Sequence, residues 1–124
     1  MGIKRIRILL ADDDPPMLAS ISRLLEPDFD VVGTVQDGGA LVVAAFQMQP
    51  DIIVTDISMP KMSGIKAARR IREDLPQIKL IFLTLHGNAG YRREAIRLGA
   101  AGYVLKSSAP EELTQVVRDA LASG

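Results

Sequence analysis

The chain has 124 residues, no cysteine, one histidine, and 15 basic against 15 acidic residues, so its formal net charge is zero. This length fits one domain, and 48% hydrophobic residues can build a core, which excludes a disordered chain. Without cysteine, a disulfide-stapled secreted fold and a structural zinc site are excluded, and a cytoplasmic location is expected. The apolar runs are too short to span a bilayer, and a neutral chain is a poor nucleic-acid binder, so no membrane or nucleic-acid contact is expected.

Short apolar runs rich in β-branched residues alternate with amphipathic stretches along the chain. The runs predict strands, buried on both faces, at residues 6–11, 31–35, 52–55, 79–84 and 102–105. Helical spacing, prolines and glycines predict helices at about 15–26, 39–49, 64–75, 89–98 and 110–121. Asp14 precedes Pro15 and Pro16, which indicates an N-cap for the first helix.

Five strands that alternate with five helices over short loops favour a doubly wound α/β fold with a parallel sheet. The flavodoxin-like (βα)5 arrangement, with strand order 2-1-3-4-5, is the expected topology, and residues 1–124 are expected to form a single domain. Sheets of this class bind ligands outside the carboxyl ends of their strands. The search for chemistry therefore begins at those ends.

Polar residues follow four of the predicted strands. Asp12, Asp13 and Asp14 follow the first, Asp56 the third, Thr84 the fourth and Lys106 the fifth. Asp51 begins the third strand, roughly 16 Å from Asp56 at ~3.3 Å per residue, and is excluded from the group.

Converging carboxylates stay ionised only when a cation compensates them, and oxygen ligands select a hard ion, here Mg²⁺. Asp14 is interpreted as a helix cap, whereas Asp12 and Asp13 are interpreted as part of the site. A cation, the Lys106 ammonium and the Thr84 hydroxyl around a carboxylate are what a transferring phosphoryl group needs. Taken singly, each residue could be a turn or strand-end residue.

These segments resemble receiver domains of two-component response regulators, most of all those of LuxR/FixJ type. The resemblance rests on Ile8-Leu9-Leu10-Ala11-Asp12-Asp13-Asp14-Pro15, Asp51 to Pro60 with Met62 and Gly64, Leu83-Thr84-Leu85-His86, and Gly99 to Lys106. It covers nearly the whole chain. It implies a Mg²⁺-dependent signalling switch rather than an enzyme, which takes a phosphoryl group from a sensor histidine kinase, loses it by autodephosphorylation, and controls a transcriptional output domain.

The resemblance also implies roles for single residues. Asp56 is the implied phospho-acceptor, and the implied Mg²⁺ ligands are Asp13, Asp56 and the Ser58 carbonyl, with Asp12 acting through water. Thr84 and Lys106 are the implied phosphate contacts.

Thr84 and Tyr103 match the switch pair of the family, and homodimerisation on phosphorylation is a further implication. DNA binding would belong to a C-terminal helix-turn-helix domain that is expected to be absent from this chain. Whether the chain is a free-standing receiver or part of a longer regulator stays open.

One departure from the family pattern is Ser107, where many receivers have a proline in a cis peptide, so the isomer at Lys106–Ser107 is left open. A haloacid-dehalogenase-like phosphohydrolase would need a second aspartate at Ser58, and a Rossmann nucleotide site would need glycines after the first strand. A purely structural domain would not require this constellation. His86 is expected to be a surface residue near the site, and Met48, Met59 and Met62 are interpreted as core filler.

Overall fold

The structure is a computed structural model that describes residues 5–122. Its strands are β1 (Arg7–Ala11), β2 (Asp30–Val35), β3 (Ile52–Asp56), β4 (Lys79–Thr84) and β5 (Gly102–Leu105). Its helices are α1 (Pro15–Leu25), α2 (Gly38–Met48), α3 (Gly64–Asp74), α4 (Ala89–Arg97) and α5 (Ala109–Ala122). The alternation predicted from the sequence is confirmed, with element ends shifted by one or two residues.

The strands form one parallel sheet in the order β2-β1-β3-β4-β5. The register pairs Ile8 with Ile52, Ile52 with Lys79, and Ile81 with Gly102. Because all strands run the same way, their carboxyl ends lie along one edge. The predicted flavodoxin-like order is therefore confirmed.

The sheet separates two hydrophobic cores. On one face α2, α3 and α4 cover alternate residues of the strands, including Leu9, Ile53 and Phe82. On the other face α1 and α5 cover the residues between them, including Leu10 and Ile81. Each fully buried large aliphatic side chain stabilises the fold by about 1.5–3 kcal/mol, so these two layers hold the strand ends in place.

The prediction that all five strands are buried on both faces is wrong for β2 and β5. The residues of β2 are half-buried or exposed, and in β5 only Val104 is buried, whereas those of β3 are all buried. Both strands lie at an edge of the sheet and have a neighbour on one side only. A short apolar run in the sequence does not by itself reveal how much of an edge strand is exposed.

The cap predicted at Asp14 is also wrong in part. Asp14 occupies the N-cap position of α1, but its side chain makes no capping hydrogen bond. Its backbone N–H instead donates to Oδ1 of Asp12, at 3.0 Å. The proline that opens α1 has no N–H to be capped, which reduces the need for a side-chain acceptor there.

The connection from β5 to α5 contains a single 3₁₀ turn over Lys106–Ser108 that the sequence did not predict. The Lys106–Ser107 peptide is trans, which answers the question left open by Ser107. Among the described residues, no helix combines the length and the apolar character that a membrane crossing requires.

Candidate functional site

Three carboxylates meet at the carboxyl edge of the sheet. Asp12 and Asp13 follow β1, and Asp56 is the last residue of β3. Each offers an oxygen atom, and these three oxygens lie within 4.8 Å of one another. Asp12 and Asp56 are buried, whereas Asp13 is exposed, so a solute can reach the group from the Asp13 side.

Lys106, just after β5, places its ammonium between the two buried carboxylates. Nζ donates to Oδ2 of Asp56 at 3.0 Å. Nζ also lies 2.8 Å from Oδ2 of Asp12, with which it forms an ion pair. The three side chains are each at most 10% exposed, so this is a buried ionic cluster.

The charges of the cluster do not balance. Three carboxylates face one ammonium, and the pKa values of Asp56 and Lys106 are both raised. Burial raises the pKa of the Asp56 carboxyl above its ordinary value; Lys106 offsets part of this rise, and Asp12 adds to it. Burial by itself lowers the pKa of Lys106, but the carboxylates of Asp12 and Asp56 outweigh it and hold this pKa above its usual value.

The donor set fits a hard divalent cation. Asp12, Asp13 and Asp56 supply only oxygen atoms, and their uncompensated charge attracts a cation. Ser58 lies beside them, where its N–H donates to Oδ1 of Asp56 at 3.4 Å. These features suit Mg²⁺, the ion predicted from the sequence.

A tight turn after β3 shapes this side of the site. The Gly64 N–H donates to the carbonyl of Ile57 at 2.7 Å. A Cβ at Gly64 would collide with the carbonyl oxygen of Asp56, so only glycine allows α3 to start this close to β3. Lys61 takes a left-handed conformation in the same turn, with a φ of 69°.

Thr84 ends β4 and is buried beside Asp56. Its hydroxyl donates to the main-chain carbonyl of His86 at 3.0 Å. The Thr84 hydroxyl therefore already has a hydrogen-bond partner in this structure. The carbonyl of a residue two positions on in a tight loop cannot be located from sequence spacing.

Tyr103 does not share the cavity that contains Asp56. It is half-buried on β5, and its hydroxyl is buried with no hydrogen-bond partner among the described residues. The Arg92 guanidinium lies 5.9 Å from the centre of its ring. Tyr103 lines a neighbouring cavity of about 460 Å³, which Asn88 also lines.

The cavity that contains Asp56 and Lys106 has a volume of about 550 Å³ and is called the Asp56 cavity below. Asp13, Ser58, Thr84 and His86 line it, so most of the residues singled out in the sequence meet here. Tyr91 of α4 lines it as well. No pattern in the sequence pointed to Tyr91, because only the packing of α4 brings this residue back to the strand ends.

The remaining predictions concern Asp51, three methionines and His86. Asp51 lies at the far end of β3, where it accepts a hydrogen bond from the backbone N–H of Arg7, at 2.9 Å. Met48, Met59 and Met62 pack against the core, which agrees with their interpretation as filler. His86 is exposed at the mouth of the cavity.

The comparisons with known proteins agree with this geometry. Residues 8–118 match the family model described as the response regulator receiver domain. A Bacillus subtilis (strain 168) protein, described as the uncharacterized transcriptional regulatory protein YxjL, is 39% identical over 122 residues. The match covers 97% of this chain and 56% of that protein. The chain thus spans about half the length of the curated relatives it matches.

Solved structures give the same result. A LuxR-family two-component response regulator from Aurantimonas sp. SI85-9A1 is 35% identical and superposes with a TM-score of 0.91, over 97% of this chain and 87% of that one. The isolated receiver domain of RcsB from Salmonella enterica serovar Typhimurium, solved with the phosphomimetic BeF3-, is 30% identical with a TM-score of 0.87, over 98% and 91% of the two chains. This chain therefore belongs to the response regulator receiver domain family and is similar to receivers of LuxR/NarL-family regulators of two-component systems.

Proposed function

We propose that Asp56 accepts a phosphoryl group from the phosphohistidine of a sensor histidine kinase. The observation that carries this proposal is the placement of Lys106 and two further aspartates around the Asp56 carboxylate, in an open cavity at the sheet edge. A carboxylate oxygen of Asp56 attacks the phosphorus atom, the phosphorus–nitrogen bond of the donor breaks, and the imidazole leaves with a proton. The product on this chain is an acyl phosphate.

Lys106 has two tasks in this proposal. Before transfer, it pairs with the Asp56 carboxylate, which keeps part of the negative charge compensated. After transfer, its ammonium is within reach of a phosphoryl oxygen and stabilises the charge that the group brings. Because Nζ is fixed between two buried carboxylates, little reorganisation is needed at either stage.

Asp12, Asp13, Asp56 and the Ser58 carbonyl would hold Mg²⁺, with Asp12 acting through water. The bound ion supplies the positive charge that lets a phosphoryl group approach a cluster of carboxylates. Asp13 is exposed and therefore lies on the side from which a donor would approach.

The switch that we propose begins at Thr84. A phosphoryl group on Asp56 offers the Thr84 hydroxyl an acceptor that competes with the His86 carbonyl. The exchange would release the loop between β4 and α4 and free space beside Tyr103. In this proposal Tyr103 is the second member of the switch pair, and the changed face would act on a transcriptional output domain.

The wider context of this switch is also part of the proposal. Relatives that are almost twice as long carry names of transcriptional regulators, which supports an output domain beyond this segment. DNA binding would then belong to that domain and not to this net-neutral chain. A sensor kinase as partner, dimerisation on phosphorylation and a cytoplasmic location remain predictions.

Intact mass spectrometry after incubation with Mg²⁺ and phosphoramidate tests the proposal, because this donor has the same phosphorus–nitrogen bond. We expect the mass of one phosphoryl group on the wild-type chain and none on Asp56→Asn. Asp51→Asn is the matched control, since it removes a carboxylate from the other end of the same strand, and it should be labelled like the wild type. Full labelling of Asp56→Asn would show that another residue is the acceptor.

A further inference from the structure

Two open cavities meet at Tyr91. A groove between α3 and α4, with a volume of about 740 Å³, lies beside the Asp56 cavity of about 550 Å³. Asp13, Ser58 and Tyr91 line both of them. Asp13 and Ser58 belong to the group around Asp56 already described, whereas Tyr91 comes from α4 and has no part in the proposed phosphotransfer. The Tyr91 side chain thus forms part of the boundary between the groove and the Asp56 cavity.

The main chain of Tyr91 is held in place by the first turns of α4. Oδ1 of Asn88 accepts a hydrogen bond from the Tyr91 N–H at 3.2 Å, which caps the helix. One turn further along α4, Ala95 is buried, and Glu94 pairs with Arg69 of α3 at 3.2 Å. The backbone that carries the Tyr91 ring therefore has a defined position at the boundary.

The fold itself does not depend on the Tyr91 ring. The residue is 41% exposed and belongs to neither of the two hydrophobic cores. An aromatic side chain at such a position contributes little to packing, so a structural role does not account for its place. What the ring does at this position is to occupy space beside the Asp56 cavity.

An acyl phosphate on Asp56 is lost when water reaches its phosphorus atom. The water oxygen bonds to phosphorus, the bond from phosphorus to the Asp56 oxygen breaks, the carboxylate is regenerated, and inorganic phosphate leaves with both protons of the water. The rate depends on how often a water molecule stands opposite the leaving oxygen. Without the Tyr91 ring, the groove would join the Asp56 cavity and give solvent a second route to the phosphoryl group.

We propose that the Tyr91 ring shields the acyl phosphate on Asp56 from water and thereby sets the lifetime of the phosphorylated state. This inference rests on the phosphorylation of Asp56 proposed above. The shield is the bulk of the ring and not the phenol hydroxyl, because the ring is what separates the two cavities. Tyr91 is a shielding residue and takes no part in bond making or breaking.

The lifetime of the phosphorylated chain tests this proposal. The chain is labelled with phosphoramidate and Mg²⁺, the donor is removed by desalting, and intact mass spectrometry follows the loss of the phosphoryl group with time. We expect hydrolysis to be about fivefold faster or more in Tyr91→Ala, and to stay within about twofold of the wild-type rate in Tyr91→Phe, which keeps the ring.

The matched control is Ile96→Ala, since Ile96 lies on the same helix, is 67% exposed and lines neither cavity. Its phosphoryl group should be lost at the wild-type rate. Thermal unfolding of the unlabelled proteins is the second measurement, and Tyr91→Ala should keep a Tm close to that of Ile96→Ala. A faster hydrolysis without a lower Tm separates shielding from a loss of structure.

Three results would overturn the shielding role and leave the phosphotransfer intact. Hydrolysis of Tyr91→Ala at the wild-type rate would show that the ring excludes no water. Equal acceleration in Ile96→Ala would mean a general loosening of α4. Acceleration in Tyr91→Phe equal to that in Tyr91→Ala would assign the effect to the hydroxyl. A wild-type chain that takes no label on Asp56 would instead overturn the proposed phosphotransfer, and the shielding role with it.

Discussion

At the scale of single residues, the buried Asp56 carboxylate lowers the stability of the folded chain when no metal ion is bound. Asp56 is 6% exposed and shares one ammonium with Asp12, and its pKa is raised, mainly by burial. A carboxyl group whose pKa is higher in the folded than in the unfolded chain lowers stability once pH exceeds the unfolded value. The loss of stability caused by the ionised Asp56 carboxyl is therefore largest at neutral pH, where the proposed chemistry operates.

Asp56→Asn should accordingly stabilise the metal-free chain at pH 7. Its advantage should shrink as pH falls from the raised pKa toward about 4, where Asp56 is protonated in both states of the wild type. Urea unfolding between pH 4 and pH 8 with a chelator present measures this difference. Asp51→Asn should show no such gain, because it loses the hydrogen bond from Arg7; a loss of stability in Asp56→Asn at pH 7 would contradict the reasoning.

Asp13 and Asp14 should differ in their effect on Mg²⁺. Asp13 belongs to the group of three carboxylates, whereas Asp14 does not and makes no capping hydrogen bond. We expect Asp13→Asn to abolish most of the rise in Tm that Mg²⁺ gives the wild type, and Asp14→Asn to retain it. Asp14→Asn should also change stability by less than the about 0.5–2 kcal/mol that a lost cap costs. A larger loss of the Mg²⁺ effect in Asp14→Asn would exchange the two roles.

At the scale of elements, the connections of the α3, β4 and α4 region depend on one arginine. Arg72, in the last turn of α3, donates to the carbonyls of Pro76 and Ile78, each at 3.0 Å, and to that of Gly99, also at 3.0 Å. It thus ties the end of α3 to the start of β4 and to the turn after α4. Gly99 has a φ of +73°, and a Cβ there would lie 2.7 Å from Nη2 of Arg72.

Arg72→Lys should destabilise the fold by about 1–3 kcal/mol, even though it keeps the charge. A lysine cannot reproduce the planar fork that serves three carbonyls at once, and a hydrogen bond from a charged group contributes about 1.5–3 kcal/mol. Arg70→Lys is the matched control, because Arg70 forms an exposed ion pair with Glu73 and its replacement should change stability by less than about 0.5 kcal/mol. Chemical denaturation of the wild type and the two variants gives the comparison. Equal stability of Arg72→Lys and the wild type would show that the three hydrogen bonds of Arg72 are dispensable.

At the scale of the whole molecule, the sheet connects the Asp56 cavity with the face that carries Tyr103. Thr84 pairs with Leu105, and Phe82 pairs with Tyr103, in the register of β4 with β5. The Thr84 hydroxyl holds the loop after β4 through His86, and Asn88, at the end of that loop, lines both cavities. In the switch that we propose, these residues carry a change at Asp56 toward Tyr103.

Thr84→Val should keep binding at Asp56 but weaken the response at Tyr103. Valine has nearly the same shape but no hydroxyl, so beryllofluoride should still bind at Asp56 while the NMR shifts of Tyr103 change less than in the wild type. Thr34→Val, on the exposed edge strand β2, is the control and should leave the response unchanged. A full Tyr103 response in Thr84→Val would remove Thr84 from the mechanism.

The sequence by itself determined the fold class, the strand order and most members of the site. Alternating apolar runs and amphipathic stretches have few topological solutions, and parallel strands bring their carboxyl ends to one edge. Asp12, Asp13, Asp56, Thr84 and Lys106 could therefore be grouped without coordinates. The geometry confirms that they lie together.

Only the tertiary structure decided how far the edge strands are exposed, that the Asp14 side chain makes no capping hydrogen bond, and that the Thr84 hydroxyl already has a partner. It also decided that Lys106 bridges Asp12 and Asp56, and that Lys66, Arg69 and Tyr91 line a groove beside them. These features depend on side-chain directions and on the packing of elements that are distant in the chain. Local sequence patterns record periodicity and turn chemistry but not such distances, and for that reason they could not reveal them.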